Sequence, residues 1–225
     1  MAIFFLGIGL AEAQKNSGEN LPMYGQPEIV RSDQLKKGDE AFVRETTAKF
    51  GSREAASRAL AAQGWTHFRS GNLELALQSF NRSWLLNPKY YQVFWGFGAV
   101  LSEQGKLAEA IIQLETAREL IEEPSQTVAL LSDIAAVHSE YAARLPQEKQ
   151  LERAHHFVIA NQRFTELLEL EPKYAAGWRE WAISLYRQER YSEAWIKAKR
   201  ATELKAEPLP ANFLKNLEQK MKESK

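Results

Sequence analysis

The sequence predicts an all-α protein built from antiparallel helix pairs, and three observations predict it. Sliding the chain against itself by 34 residues pairs Gly64 with Gly98, Gly71 with Gly105, Ala76 with Ala110 and Ala160 with Ala194. A fixed period of this length marks a repeat architecture, in which each unit buries its apolar face on the next. The phrases LNPKY (Leu86 to Tyr90) and LEPKY (Leu170 to Tyr174) recur as punctuation. Between such breaks, each unit has the patterning of two amphipathic helices joined by a short turn.

The elements follow in order. Residues 1–13, MAIFFLGIGLAEA, have the form of an export signal. The apolar run Ala2 to Leu10 precedes Ala11-Glu12-Ala13, small residues at the two positions a signal peptidase inspects, so cleavage would fall before Gln14. No Lys or Arg precedes the run and it is short, which keeps a packed N-terminus of a cytoplasmic protein as the alternative. No later apolar run approaches the roughly 20 residues that a membrane-spanning helix requires. Residues 14–31, with Pro22, Gly25 and Pro27, form an extended arm. Residues 32–51 hold a leading helix, Ser32 to Phe50, with Leu35, Phe42 and Val43 on its apolar side and Gly38 weakening its middle. Ser52 is placed to N-cap the next helix.

The array then fills residues 52–208 in four units, about 57–90, 91–124, 128–174 and 175–208, the third with an insertion of about 13 residues. Within that insertion, Pro146 is expected to end one helix and open a second running from Gln147 to Leu170. This gives either a tolerated hairpin extension or a protruding contact for a partner. Residues 209–225 form a capping helix with Phe213, Leu214, Leu217 and Met221 at helical spacing and charged residues opposite.

The small and aromatic residues carry a resemblance. Residues 57–90 contain Gly64, Ala76, Phe80 and Pro88; residues 91–124 contain Phe97, Gly98, Ala110, Leu114 and Ala117. The third unit has Ile134, Ala135, Ala160, Phe164 and Pro172, and the fourth has Trp178, Trp181, Ala182, Ala194 and Ala201. This pattern resembles the tetratricopeptide repeat (TPR), and the likeness covers about 150 residues. It implies a right-handed solenoid with an N-terminal helix and a C-terminal cap. Gly64, Ala76, Gly98, Ala110, Ala135, Ala160, Ala182 and Ala194 would be the small packing positions that let helices approach closely.

The stretch YYQVFWGFGAVLSEQG, Tyr90 to Gly105, is then a repeat helix. Gly96-Phe97-Gly98 begins like a nucleotide-binding fingerprint, but Leu101 stands where the third glycine belongs, and no strand-to-helix turn precedes it.

Composition and motifs narrow the chemistry. Lys+Arg and Asp+Glu both number 29, so the formal charge is zero and a nucleic-acid binder is disfavoured. With no cysteine, thiolate catalysis and thiolate metal sites are excluded. No Ser, metal-protease or phosphate-loop motif occurs. His67 and His138 take first-helix positions where packing residues are expected, and the adjacent His155 and His156 cannot share one helix face. No enzyme, cofactor or metal is therefore expected.

The resemblance implies that the first helices line a concave groove that holds a protein or peptide. The groove positions carried onto this chain are Arg58, Trp65, Phe68 and Arg69 in the first unit, Gln92 and Trp95 in the second, and Arg179, Tyr186 and Arg187 in the fourth. Aromatic and Arg side chains concentrate binding energy, whereas the third unit offers only Ala129, Ser132, Ala136, Ser139 and Glu140. Packing of Trp65 and Phe68 against the leading helix is the competing expectation. Family members that grip chaperone tails use Lys and Asn where this chain has Ala61, Trp65 and Gly96, so that role is unsupported. The expected function is a non-enzymatic scaffold in a bacterial envelope, with a cytoplasmic assembly chaperone and a periplasmic glycan or small-molecule binder as alternatives.

Overall fold

The structure, a computed structural model, describes residues 32–223. The expected export signal and extended arm lie in 1–31, outside the described residues. Among the described residues there are ten α-helices, one short 3-10 turn and no strand. They are α1 (Asp33–Phe50), α2 (Arg53–Arg69), α3 (Leu73–Leu86), α4 (Tyr91–Glu103), α5 (Leu107–Leu120), α6 (Pro124–Arg144), α7 (Gln150–Leu170), α8 (Ala175–Arg187), α9 (Tyr191–Glu203) and α10 (Phe213–Glu223). The chain divides into two compact units, Met1–Val100 and Leu101–Lys225, with the division inside α4.

Local sequence explains the helix ends in the first unit. The Ser32 hydroxyl accepts the Leu35 N–H at 3.3 Å, and the Ser52 hydroxyl accepts the Ala55 N–H at 3.0 Å. Each satisfies an N–H that the first helical turn leaves without a partner. Gly51 closes α1 at φ 83°, in the left-handed region that glycine enters without a Cβ penalty. At the same end of the α2/α3 pair, Arg53 donates from Nε and Nη2 to the Leu86 and Leu85 carbonyls at 2.9 and 3.0 Å. A cation thereby covers the negative end of the α3 dipole.

The α2/α3 pair meets through small residues. Ser57 Oγ donates to the Ser83 carbonyl at 3.0 Å, and Ser83 Oγ donates to the Ser57 carbonyl at 2.8 Å, all of it buried. Phe80 of α3 is fully buried, with Gly64 on α2 and Gly96 on α4 against its ring. A Cβ at Gly64 would come within 2.7 Å of that ring, and one at Gly96 within 2.3 Å. Gly98, the expected packing glycine of α4, is also buried, but Gly96 is the one that Phe80 fills, which the 34-residue register did not single out. α1 contributes no buried residue; it packs on α2 and α3, with the Arg82 guanidinium over the Phe42 ring at 5.9 Å.

The second unit is organised around a long hairpin. α6 and α7 have 21 residues each, whereas α8 and α9 have 13. α6 opens at Pro124, in the favoured first turn and ahead of the expected unit boundary at 128. After Pro146 the first turn is 3-10, Gln147–Lys149, and α-helical geometry starts at Gln150, a few residues later than expected. Leu131, Ala135, Ala160, Phe164, Leu167 and Leu168 form one buried cluster. Ala182, Leu185, Ala194 and Ala198 form another with Phe213 and Leu217 of α10. Leu214, expected on the buried side of the cap, is instead exposed. Ala76, Ala110, Ala135, Ala160, Ala182 and Ala194 are all fully buried.

Candidate binding surfaces

In the first unit the expected groove residues split by burial. Trp65 and Phe68 are half-buried on α2, their rings edge to face at 5.6 Å. Trp65 also meets Phe80 at 5.4 Å and Trp95 at 5.6 Å, both edge to face. Its indole N–H donates to Gln92 Oε1 at 2.6 Å, and Gln92 Nε2 donates to the Tyr91 hydroxyl at 2.9 Å. The Trp65 ring is thus fixed on three sides before any ligand arrives. Arg58 and Arg69 are exposed and form no ion pair among the described residues; Arg69 makes a long 3.5 Å contact to Thr66 Oγ1. Trp95 departs from expectation. It is 8% exposed, so it fills the core beneath Trp65 and offers little surface to a ligand.

In the second unit two of the three expected groove residues serve the fold. Tyr186 lies against Tyr191 at 5.5 Å and Phe213 at 5.2 Å, inside the seam that holds α10. Arg179 donates from Nε to the Pro208 carbonyl at 3.1 Å and pairs with Glu180, tying down the segment before the cap. The reason is the packing of α10, whose Phe213 and Leu217 bury themselves against the α8/α9 pair and take up Tyr186. Arg187 stays half-buried, with a 3.4 Å contact from Nη1 to Ser139 Oγ.

A polar network that residue-by-residue reasoning missed runs through the long hairpin. His138 of α6 is buried, and its Nδ1 lies 2.8 Å from Nδ1 of His156 on α7. One ring must donate and the other accept, so at least one imidazole of the pair is neutral. His138 Nε2 faces Glu115 Oε1 of α5 at 3.6 Å. Glu115 also takes Arg118 Nε at 2.6 Å and Arg163 Nη2 at 3.5 Å. Burial alone would raise the Glu115 carboxyl, but the nearby His138 imidazole, the Arg118 hydrogen bond and the Arg163 charge hold it down to about 2. Burial lowers the His156 pKa, with the His138 and His155 charges acting in the same direction. The signal for this network was present, because His138 and His156 lie equally far either side of Gln147, at the hairpin tip. Folding the sequence at Pro146 pairs them; treating His155 and His156 as neighbours does not.

A second network joins α7 to α8. The Asn161 and Gln188 carboxamides exchange hydrogen bonds at 2.9 and 3.2 Å, and the Trp181 indole N–H donates to Asn161 Oδ1 at 3.0 Å. Lys197 stands over the Trp181 ring at 3.8 Å and over Trp178 at 4.9 Å, a cation–π stack.

No protein-family model matches the chain, and no curated protein sequence matches it. In fold it is similar to the solved structure of Pseudomonas aeruginosa pilF, a TPR-containing protein. The TM-score is 0.53 at 16% identity, over 77% of this chain and 79% of that one. That likeness and the packed helix pairs give the protein a TPR-like all-helical fold.

Proposed function

We propose that the protein is a non-enzymatic scaffold that holds a peptide segment of another protein, and that the first unit carries the primary contact surface. TPR-like folds characteristically serve as protein-interaction scaffolds, and that supports the class. The carrying observation is the Trp65–Phe68 pair, pre-positioned by Gln92 and flanked by the exposed Arg58 and Arg69. A rigid aromatic platform loses little rotamer freedom on binding, and guanidinium groups at its margin pair with carboxylates or backbone oxygens of a ligand. The Ala2–Leu10 run and Ala11-Glu12-Ala13 support export, which would place the partner in the cell envelope.

The test is a photo-crosslinking residue at Phe68 in the full chain within its own cells, compared with one at Leu75, an exposed residue on α3. The expected outcome is a discrete protein adduct at position 68 that Arg58→Glu diminishes. Equal labelling from both positions would remove the α2 surface from consideration.

A further inference from the structure

The long hairpin overhangs its neighbour. Asn161 of α7 reaches Gln188 just past the end of α8, so Gln150 to Ala160 have no length of α8 beside them. At the α-helical rise those eleven residues project about 16 Å. Under this overhang lies a groove of about 430 Å³, lined by residues that include Arg153, Phe157, Val158, Asn161, Arg187 and Gln188. Its floor is fixed, because the Asn161 and Gln188 carboxamides satisfy one another and Gln188 Nε2 also donates to Ser184 Oγ at 3.0 Å. Its wall is apolar, and the same face of α7 continues with Leu151, 90% exposed, and Val158, 53% exposed. Large aliphatic groups left in water at that spacing, beside a preformed groove, are a docking feature.

Charge specifies what docks. Arg153 and Arg187 face the groove and form no ion pair among the described residues; the Arg153 guanidinium lies over the Phe157 ring at 5.9 Å. Arg190, also in the lining, is already neutralised by Glu193 through two 2.7 Å hydrogen bonds. Glu189 is the carboxylate in the lining, against three arginines.

From this we infer that the overhang is a second docking surface, taking an acidic segment of another protein that seats an aliphatic side chain against Phe157 and Val158 and a carboxylate between Arg153 and Arg187. The surface shares no residue with the α2 platform, so it stands or falls independently of that proposal. The insertion in the third repeat is what creates it, since helices of the usual length would end level with α8.

The experiment uses fluorescein-labelled twelve-residue peptides with Leu or Ile at helical spacing and Glu or Asp beside them, plus matched peptides carrying Lys instead. Binding to the full chain is followed by anisotropy. The expected result is saturable binding of acidic peptides, absent for the Lys set and weakened about tenfold or more by Arg153→Glu with Arg187→Glu, and also by Val158→Glu. All three positions are at least partly exposed, and circular dichroism checks that the fold persists. Arg58→Glu with Arg69→Glu should leave this binding unchanged; if that pair abolishes it and the overhang variants do not, the peptides occupy the α2 platform and the inference is overturned. Absence of acidic-peptide binding overturns it too. A photo-crosslinker at Leu151 identifies the occupant. An adduct to the acidic peptide supports the inference, while an adduct to a second copy or to residues 1–31 that the peptide does not displace overturns it.

Discussion

The α2/α3 pair and the α6/α7 pair solve the same packing problem with opposite materials. In the first, the Phe80 ring of α3 meets Gly64 and Trp65 of α2, with Gly96 of α4 also against it, and two serines exchange hydrogen bonds across the interface. The polar groups that cross that seam in those contacts are serine hydroxyls, which carry no charge near neutral pH. In the second, His138, His156 and Arg163 lie beside the apolar cluster, and Glu115 reaches His138 and Arg163 from α5. A seam of small residues and aromatic rings depends on volume; a seam with ionisable groups depends on protonation. The contrast teaches that one helical-pair scheme accommodates shape-locked and charge-locked interfaces in the same chain.

The largest effect that would break the contrast is at Trp95. As a core residue it should cost about 3–5 kcal/mol of stability when changed to Ala. Denaturant unfolding checks this, and a loss confined to partner affinity would return Trp95 to the binding surface. Next comes Gly96→Val, which pushes a branched side chain into the Phe80 ring. Gly64 blocks the ring from the other helix, so relaxation is limited and about 2–3 kcal/mol should be lost. An unchanged melting temperature would show that the seam is not volume-limited.

The charge-locked pair should respond to pH in two windows. The folded Glu115 pKa is about 2, below its ordinary value of 4.5, so its stabilisation is present above the unfolded value and is lost as pH falls between them. The loss should be about 2–3 kcal/mol, and Glu115→Gln should abolish that acid-range slope. His156 acts higher. Its folded pKa lies below 6.5, so the unfolded chain takes up a proton that the fold resists, and stability declines as pH drops through the ordinary histidine range. Calorimetric melting at stepped pH should show this slope, and His156→Gln should flatten it. A melting temperature flat from pH 7.5 to 5.5, as an approximate range for histidine titration, would contradict the charge-locked description.

The smallest effect concerns the turns. Gly71 and Gly105 adopt φ 75° five residues before Ala76 and Ala110, and Glu189 takes φ 61° five residues before Ala194. A Cβ is disfavoured there, so Glu189→Gly should raise stability by about 0.5–1 kcal/mol, measured as a higher unfolding midpoint.

The helix pairs were legible because repetition and burial leave a periodic trace: the small residues at positions 76, 110, 160 and 194 mark where helices must approach. The proposed binding surface was legible only in part. Trp65, Phe68, Arg58 and Arg69 are at least partly exposed, but Trp95 and Tyr186, also at expected groove positions, are absorbed by their neighbours. A position in a repeat specifies a direction on its helix, not what packs over it. The overhang was invisible for a related reason. Arg153 and Arg187 become neighbours of one groove only when the hairpin length is set against the end of α8.

The Phe80 ring, pressed between Gly64 and Gly96, acts as a spacer of fixed thickness. It sets how far apart α2 and α4 can stand, and with it the span between Trp65 and Gln92 on those two helices. A ligand docking on this face, as proposed, would therefore meet a surface whose shape is set before it arrives, at little cost in conformational freedom.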